Sequence, residues 1–142
     1  MRLLPFIAWL GLITSCNQAD NPLIGSWKPQ KYVLASGESK PVDGHIFFSG
    51  DQWSVVFFIL DEDKKPVSAS AEGGTYTLEN NNLTFFHRYN ISDVDKGVAS
   101  ELKKTLLTDN EEFTKEYCSI EVEEGILVIY FPSGNAMIFS QL

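Results

Sequence analysis

"GGTYTLENNNLTFFHRYNI", residues 73–91, holds the pattern on which the fold turns. In its first half Tyr76 and Leu78 alternate with Thr75, Thr77 and Glu79. A period of two sends successive side chains to opposite faces of a strand. In its second half Leu83, Phe85, His87, Tyr89 and Ile91 share one side, while Thr84, Arg88 and Asn90 share the other with Phe86 as the exception. Between the halves, Asn80-Asn81-Asn82 supplies residues that tolerate the positive φ of a hairpin turn. Gly73-Gly74, at the entrance, offers a bulge or a sharp bend. Each strand has one wet face and one dry face.

Outward from this hairpin the chain reads as short β-rich runs separated by turn residues. Strands are expected near 26–35, 45–50, 53–61, 67–80, 83–91, 113–122, 126–132 and 136–142. "SGESKPVDG" at 36–44, "SGDQ" at 49–52, "DEDKKP" at 61–66 and "PSGN" at 132–135 carry turn chemistry. Two runs, "WSVVFFIL" at 53–60 and "ILVIYF" at 126–131, are apolar on both faces, so their outer side calls for a cover. One segment breaks the strand pattern. In 92–107 Val94, Val98, Leu102 and Leu106 recur every four positions behind a capping-box-like Ser92 and Asp95, which predicts a helix that could provide that cover. Eight mostly antiparallel strands with one short helix fit an all-β, up-and-down barrel, and a two-sheet sandwich is the alternative.

The first residues belong to a different instruction. Arg2 is followed by an apolar run from Leu3 to Ile13, the length of a signal-peptide core and too short to span a bilayer. Ile13-Thr14-Ser15 then places a branched apolar residue and small residues directly before Cys16. This ending resembles the lipobox of bacterial lipoproteins, in which the cysteine is acylated and the leader is cut just before it. The resemblance implies a signal peptide over 1–15, an acylated Cys16 with a short tether over 16–22, and one domain over 23–142. It places the chain in the cell envelope, lipid-anchored to a bacterial membrane, the outer in preference to the inner, and facing the periplasm or the exterior. A secretory signal with an incidental cysteine is the competing interpretation.

Loss of Arg2 with that leader would leave 10 Lys plus Arg against 19 Asp plus Glu, a formal charge of −9. Nucleic acid and anionic headgroups would repel such a surface, so no nucleic-acid partner is expected and attachment falls to the lipid. Cys118 has no cysteine partner once Cys16 is acylated, which makes it a buried structural thiol.

At the start of the domain, Leu23-Ile24-Gly25-Ser26-Trp27 resembles the first strand of lipocalins and of the bacterial lipocalin-like domains, and "GGTYTLENNNLTF" resembles their central hairpin. The resemblance implies a lipocalin-like barrel with Trp27 as a plug at one end. In that family the tryptophan often lies under a basic side chain from the last strand, whereas Ala136 to Leu142 contains no Lys or Arg.

Catalytic signatures are missing: the chain has no Gly-x-Ser-x-Gly elbow, no cysteine pair at metal spacing, no His-x-x-x-His and no phosphate-cradling glycine loop. No enzyme, no metal and no cofactor is expected. The candidate ligand-contacting residues are Tyr76, Phe85, His87 and Tyr89, with one polar group among aromatics to orient a mostly apolar molecule. The expected function is a membrane-anchored module that binds a small hydrophobic or amphipathic ligand. The alternative is a non-enzymatic structural or protein-interaction lipoprotein whose barrel is filled by its own side chains, its protein partner unknown.

Overall fold

The computed structural model describes residues 21–95, 100–106 and 114–142, with side chains for 21–92 and 114–142. The leader, Cys16 and the tether up to Asp20 lie outside the described residues. The strands are β1 (Gly25–Val33), β2 (Ser39–Lys40), β3 (Val42–Ser49), β4 (Gln52–Leu60), β5 (Pro66–Glu79), β6 (Asn82–Asp95), β7 (Ser100–Leu106), β8 (Thr114–Glu123), β9 (Ile126–Tyr130) and β10 (Ala136–Gln141). Antiparallel ladders run β1-β3-β4-β5-β6-β8-β9-β10. The last strand pairs back onto the first, from Trp27 opposite Gln141 to Val33 opposite Ala136. This closes an eight-stranded up-and-down barrel. Two strands stand outside the ring: β2 makes a two-residue pairing with β1, and β7 pairs with β6.

The helix expected over 92–107 is not formed. Residues 92–95 complete β6, and 100–106 return as β7 with Asp93 opposite Leu102 and Val94 opposite Glu101. A spacing of four is even, so Leu102 and Leu106 fit the period of one strand as well as that of a helix, while Val94 belongs to the preceding strand. A helical stripe also needs apolar residues three positions on, and positions 97, 101 and 105 are Gly, Glu and Thr. With strands there instead, no helical cover lies over the doubly apolar strands among the described residues. Val56 of β4 and Ile126 and Tyr130 of β9 stay exposed on the outer wall.

The two ends of the barrel differ. At the end where the β3–β4, β5–β6 and β8–β9 hairpins turn, Leu23, Trp27, Phe48, Leu83 and Leu127 are fully buried and packed together. Trp27, 1% exposed, donates its indole Nε1–H to the Leu23 carbonyl at 2.8 Å. A tryptophan can be buried at low cost only when that N–H finds an acceptor. The segment before β1 folds under this end: Asn21 Nδ2 donates to the Tyr76 hydroxyl at 2.8 Å, and that hydroxyl donates to the Gly50 carbonyl at 2.9 Å. No basic side chain from β10 takes part, because that strand has none.

Two bulges interrupt the ladders. Between β1 and β10 the register slips between Pro29 and Lys31, where Pro29 has no N–H to give to a ladder. Between β5 and β6, Gly73 pairs with Tyr89 and Gly74 with His87, leaving Arg88 as the extra residue. Gly74 must be glycine: a Cβ there would run into the Phe86 carbonyl oxygen. A bulge adds one residue to one strand and so reverses the in-out alternation beyond it. Tyr89 consequently faces Gly73 across the ladder, its ring filling the space a Gly73 side chain would occupy, while Asn90 turns to the side of His87 and Glu72. The single inward row expected from Leu83 to Ile91 therefore ends at His87.

Candidate functional site

The other half of the barrel is hollow. A cavity of about 700 Å³ lies toward the β4–β5 and β9–β10 turns, bounded by Ile46, Val55, Phe57 and Ile59 on one side and by Met137 and Phe139 on another. Its floor is aromatic. Phe85 meets Trp53 with ring centroids 4.3 Å apart, and Trp53 meets His87 edge-on at 5.2 Å. The remaining wall is polar and comes from β5, β6 and β8: Glu72, His87, Asn90 and Glu116.

His87 is held from both ring nitrogens. Nδ1 lies 3.1 Å from Glu72 Oε2 and Nε2 lies 3.4 Å from Glu116 Oε2. Both ring nitrogens can donate at once only in the imidazolium form. Desolvation opposes that charge, but the hydrogen bonds and charges of Glu116 and Glu72 outweigh it and raise His87 from 6.5 to about 9. Glu72 is pushed up by burial, yet its bonds with His87, with Ser70 Oγ at 2.9 Å and with Asn90 bring it below the ordinary carboxylate value. The two glutamates bracket one ring rather than converging on a point. Among the described residues no group of three or more His, Cys, Asp or Glu can hold a metal ion.

The sign of the linkage follows from the raised value. Stability from His87 is fully present below pH 6.5, its unfolded pKa, and is lost as pH rises through about 9. With a side chain only 13% exposed, the expected loss is on the order of 3 kcal/mol or less. Urea unfolding of the wild type at pH 6 and pH 10 should show it, and His87→Gln should remove most of the difference. An equal loss in that variant would place its origin elsewhere.

A family model for the lipocalin-like domain matches residues 23–129. The chain belongs to the lipocalin-like domain family. The crystal structure of a lipocalin-like protein from Bacteroides uniformis is similar, with a TM-score of 0.53 and 19% identity over 85% of this chain and 99% of that one. An uncharacterized protein from Bacteroides eggerthii is similar at a TM-score of 0.52 and 12% identity, over 84% of this chain and 99% of that one. Among curated proteins none matches.

In this lipocalin-like domain the residues singled out from the sequence fall in different places. Phe85 and His87 line the cavity, and Tyr89 borders it with its ring turned over Gly73. Tyr76 is buried at the closed end, hydrogen-bonded to Asn21 and Gly50. Trp27 is also at that end. Cys118 is buried on β8 opposite Leu83, its thiol pushed up to about 12 by burial and by the charge of Glu116, so it stays protonated. Glu72, Asn90 and Glu116 are additions. Counting back by twos from Tyr76 gives Gly74 and Glu72, and from Cys118 gives Glu116. The inward carboxylates of this lipocalin-like domain were thus available from parity alone.

Proposed function

We propose that this chain is a membrane-anchored extracytoplasmic lipoprotein whose barrel binds a small hydrophobic or amphipathic ligand without chemical conversion. The cavity carries the reading. Its volume of about 700 Å³ falls within the range of small-molecule sites, which are mostly apolar with a few fixed polar groups. Trp53, Phe57, Phe85 and Met137 supply the apolar part, and His87 with its two glutamates supplies the polar part. A barrel filled by its own side chains would lack that space, which favours binding over a purely structural role. Support for the anchor comes from Ile13-Thr14-Ser15-Cys16 behind an apolar leader, since acylation at more than one position makes attachment stable.

The test is native mass spectrometry of the chain from Asn17 onward, made in bacteria, followed by extraction of whatever co-purifies. A reproducible bound mass, weakened by a Phe57→Glu substitution in the cavity wall, is the expected result. A fragment that is always empty and takes up no apolar probe would refute the binding reading. For the anchor, Cys16→Ser in the full chain should move the protein from the membrane fraction to the soluble one.

A further inference from the structure

The charged groups on the cavity wall do not balance. Glu72, His87, Lys115 and Glu116 are the charged residues among those that line it. Lys115 offers its backbone, because its ammonium sits 5.7 Å from the centre of the Phe86 ring. Phe86 follows the buried Phe85 on β6, so that ring is on the outer face of the barrel. Among the described residues two carboxylates and one imidazolium remain, a net charge of −1 on the cavity wall. The carboxylates are unequally served. Glu72, with a side chain 20% exposed, is bonded to Ser70, His87 and Asn90. Glu116, 31% exposed, has the longer 3.4 Å contact with His87.

Given a ligand in this cavity, the reading proposed for it, we infer that the ligand is an amphipathic cation: an apolar body ending in a protonated amine that pairs with Glu116, with carboxylate-headed lipids disfavoured. An incoming ammonium completes the weakly bonded carboxylate and neutralises the wall. A fatty-acid headgroup would have to reach His87 past two glutamates that already occupy both of its N–H groups. His87 remains charged through neutral pH, raised as it is to about 9, so it cannot turn into a neutral acceptor for the amine. Its part is to hold the two carboxylates in place. The apolar body lies along Val55, Phe57, Ile59 and Met137.

Glu116 is also near an opening. β8 pairs with β9 from Ser119 to Glu123, so among the described residues Thr114 to Cys118 has no ladder partner on that side. The cavity reaches Thr114, Lys115 and Glu116 on one lip of this gap and Phe131, Pro132 and Ser133 on the other.

The experiment compares octylamine, octanol and octanoate, all below micelle-forming concentrations, binding to the purified full chain at pH 7 by calorimetry. Octylamine should bind at least about tenfold more tightly than octanoate, equivalent to about 1.4 kcal/mol, with octanol between them. Glu116→Gln should collapse that preference to within about threefold, mostly through weaker binding of octylamine. Octanoate binding as tightly as octylamine in the wild type would overturn the inference while leaving the cavity a binding site. A preference for the amine that survives Glu116→Gln would overturn the assigned role of Glu116. Failure of all three ligands to bind would reject the binding reading itself. The wild-type comparison decides the ligand class even if the variant does not fold.

Discussion

Trp27→Ala is expected to lower the free energy of unfolding by about 3–5 kcal/mol, the usual range for removing a fully buried aromatic. The side chain is 1% exposed and packs with Leu23, Phe48, Leu83 and Leu127 at the closed end. Three hairpins and a closed ladder frame this end, so it cannot collapse easily into the vacated volume. The Leu23 carbonyl would also lose the indole N–H that satisfies it at 2.8 Å. Trp27→Phe separates the two contributions, because it keeps much of the ring volume and leaves the carbonyl without that donor, at an expected cost of about 1–3 kcal/mol. Urea titrations of the wild type and both variants are the measurement. A cost below about 1 kcal/mol for the alanine variant would mean that the end of the barrel does not depend on this plug.

Gly74→Ala is expected to do more than destabilise. A single Cβ at this position collides with the backbone oxygen of Phe86, and backbone cannot swing aside as a side chain can. Overpacking of this kind costs about 1–3 kcal/mol or more. Relief requires the bulge at Arg88 to open, which disturbs the pairing that sets His87 opposite Gly74 and Asn90 opposite Glu72. The loss should therefore appear at the site as well as in the melting curve. By NMR titration, His87 should fall from about 9 toward its ordinary 6.5 as its grip on Glu72 loosens. Gly73→Ala is the control, because the atoms nearest its Cβ belong to the side chain of Tyr89, which can rotate away where backbone cannot. A smaller stability loss and an unchanged His87 are expected there. Equal effects of the two substitutions would show that the bulge does not set the site.

The barrel was legible because its signals are local and repeated. Alternation in 75–79 and 83–87, Asn80 at the turn with its φ of 56°, and "PSGN" and "SGDQ" between runs each specify a strand or a bend by themselves. The helix over 92–107 failed for a physical reason as local as those successes: a four-residue repeat fits both periods, and the missing i+3 positions were the information that separates them. The site was harder to read. His87 and Phe85 follow from parity, but Tyr89 and Asn90 trade faces at a bulge whose location depends on how Gly74 meets the carbonyl of Phe86 in another strand. Glu116 and Glu72 sat on inward faces by the same parity. Carboxylates are seldom buried unless paired, and only the closed barrel brings their partner, His87, between them.

The aromatic row from the closed end to the cavity also makes the domain its own optical instrument. Trp9 precedes Cys16, and beyond Cys16 the chain has two tryptophans, Trp27 and Trp53. Trp27 is sealed and senses only folding. Trp53 stands edge-on to a protonated imidazole at 5.2 Å, and imidazolium quenches indole emission. Deprotonating His87 above about pH 9 should brighten one emitter and leave the other constant. The protonation of the cavity wall can thus be followed against an internal reference within a single unlabelled chain.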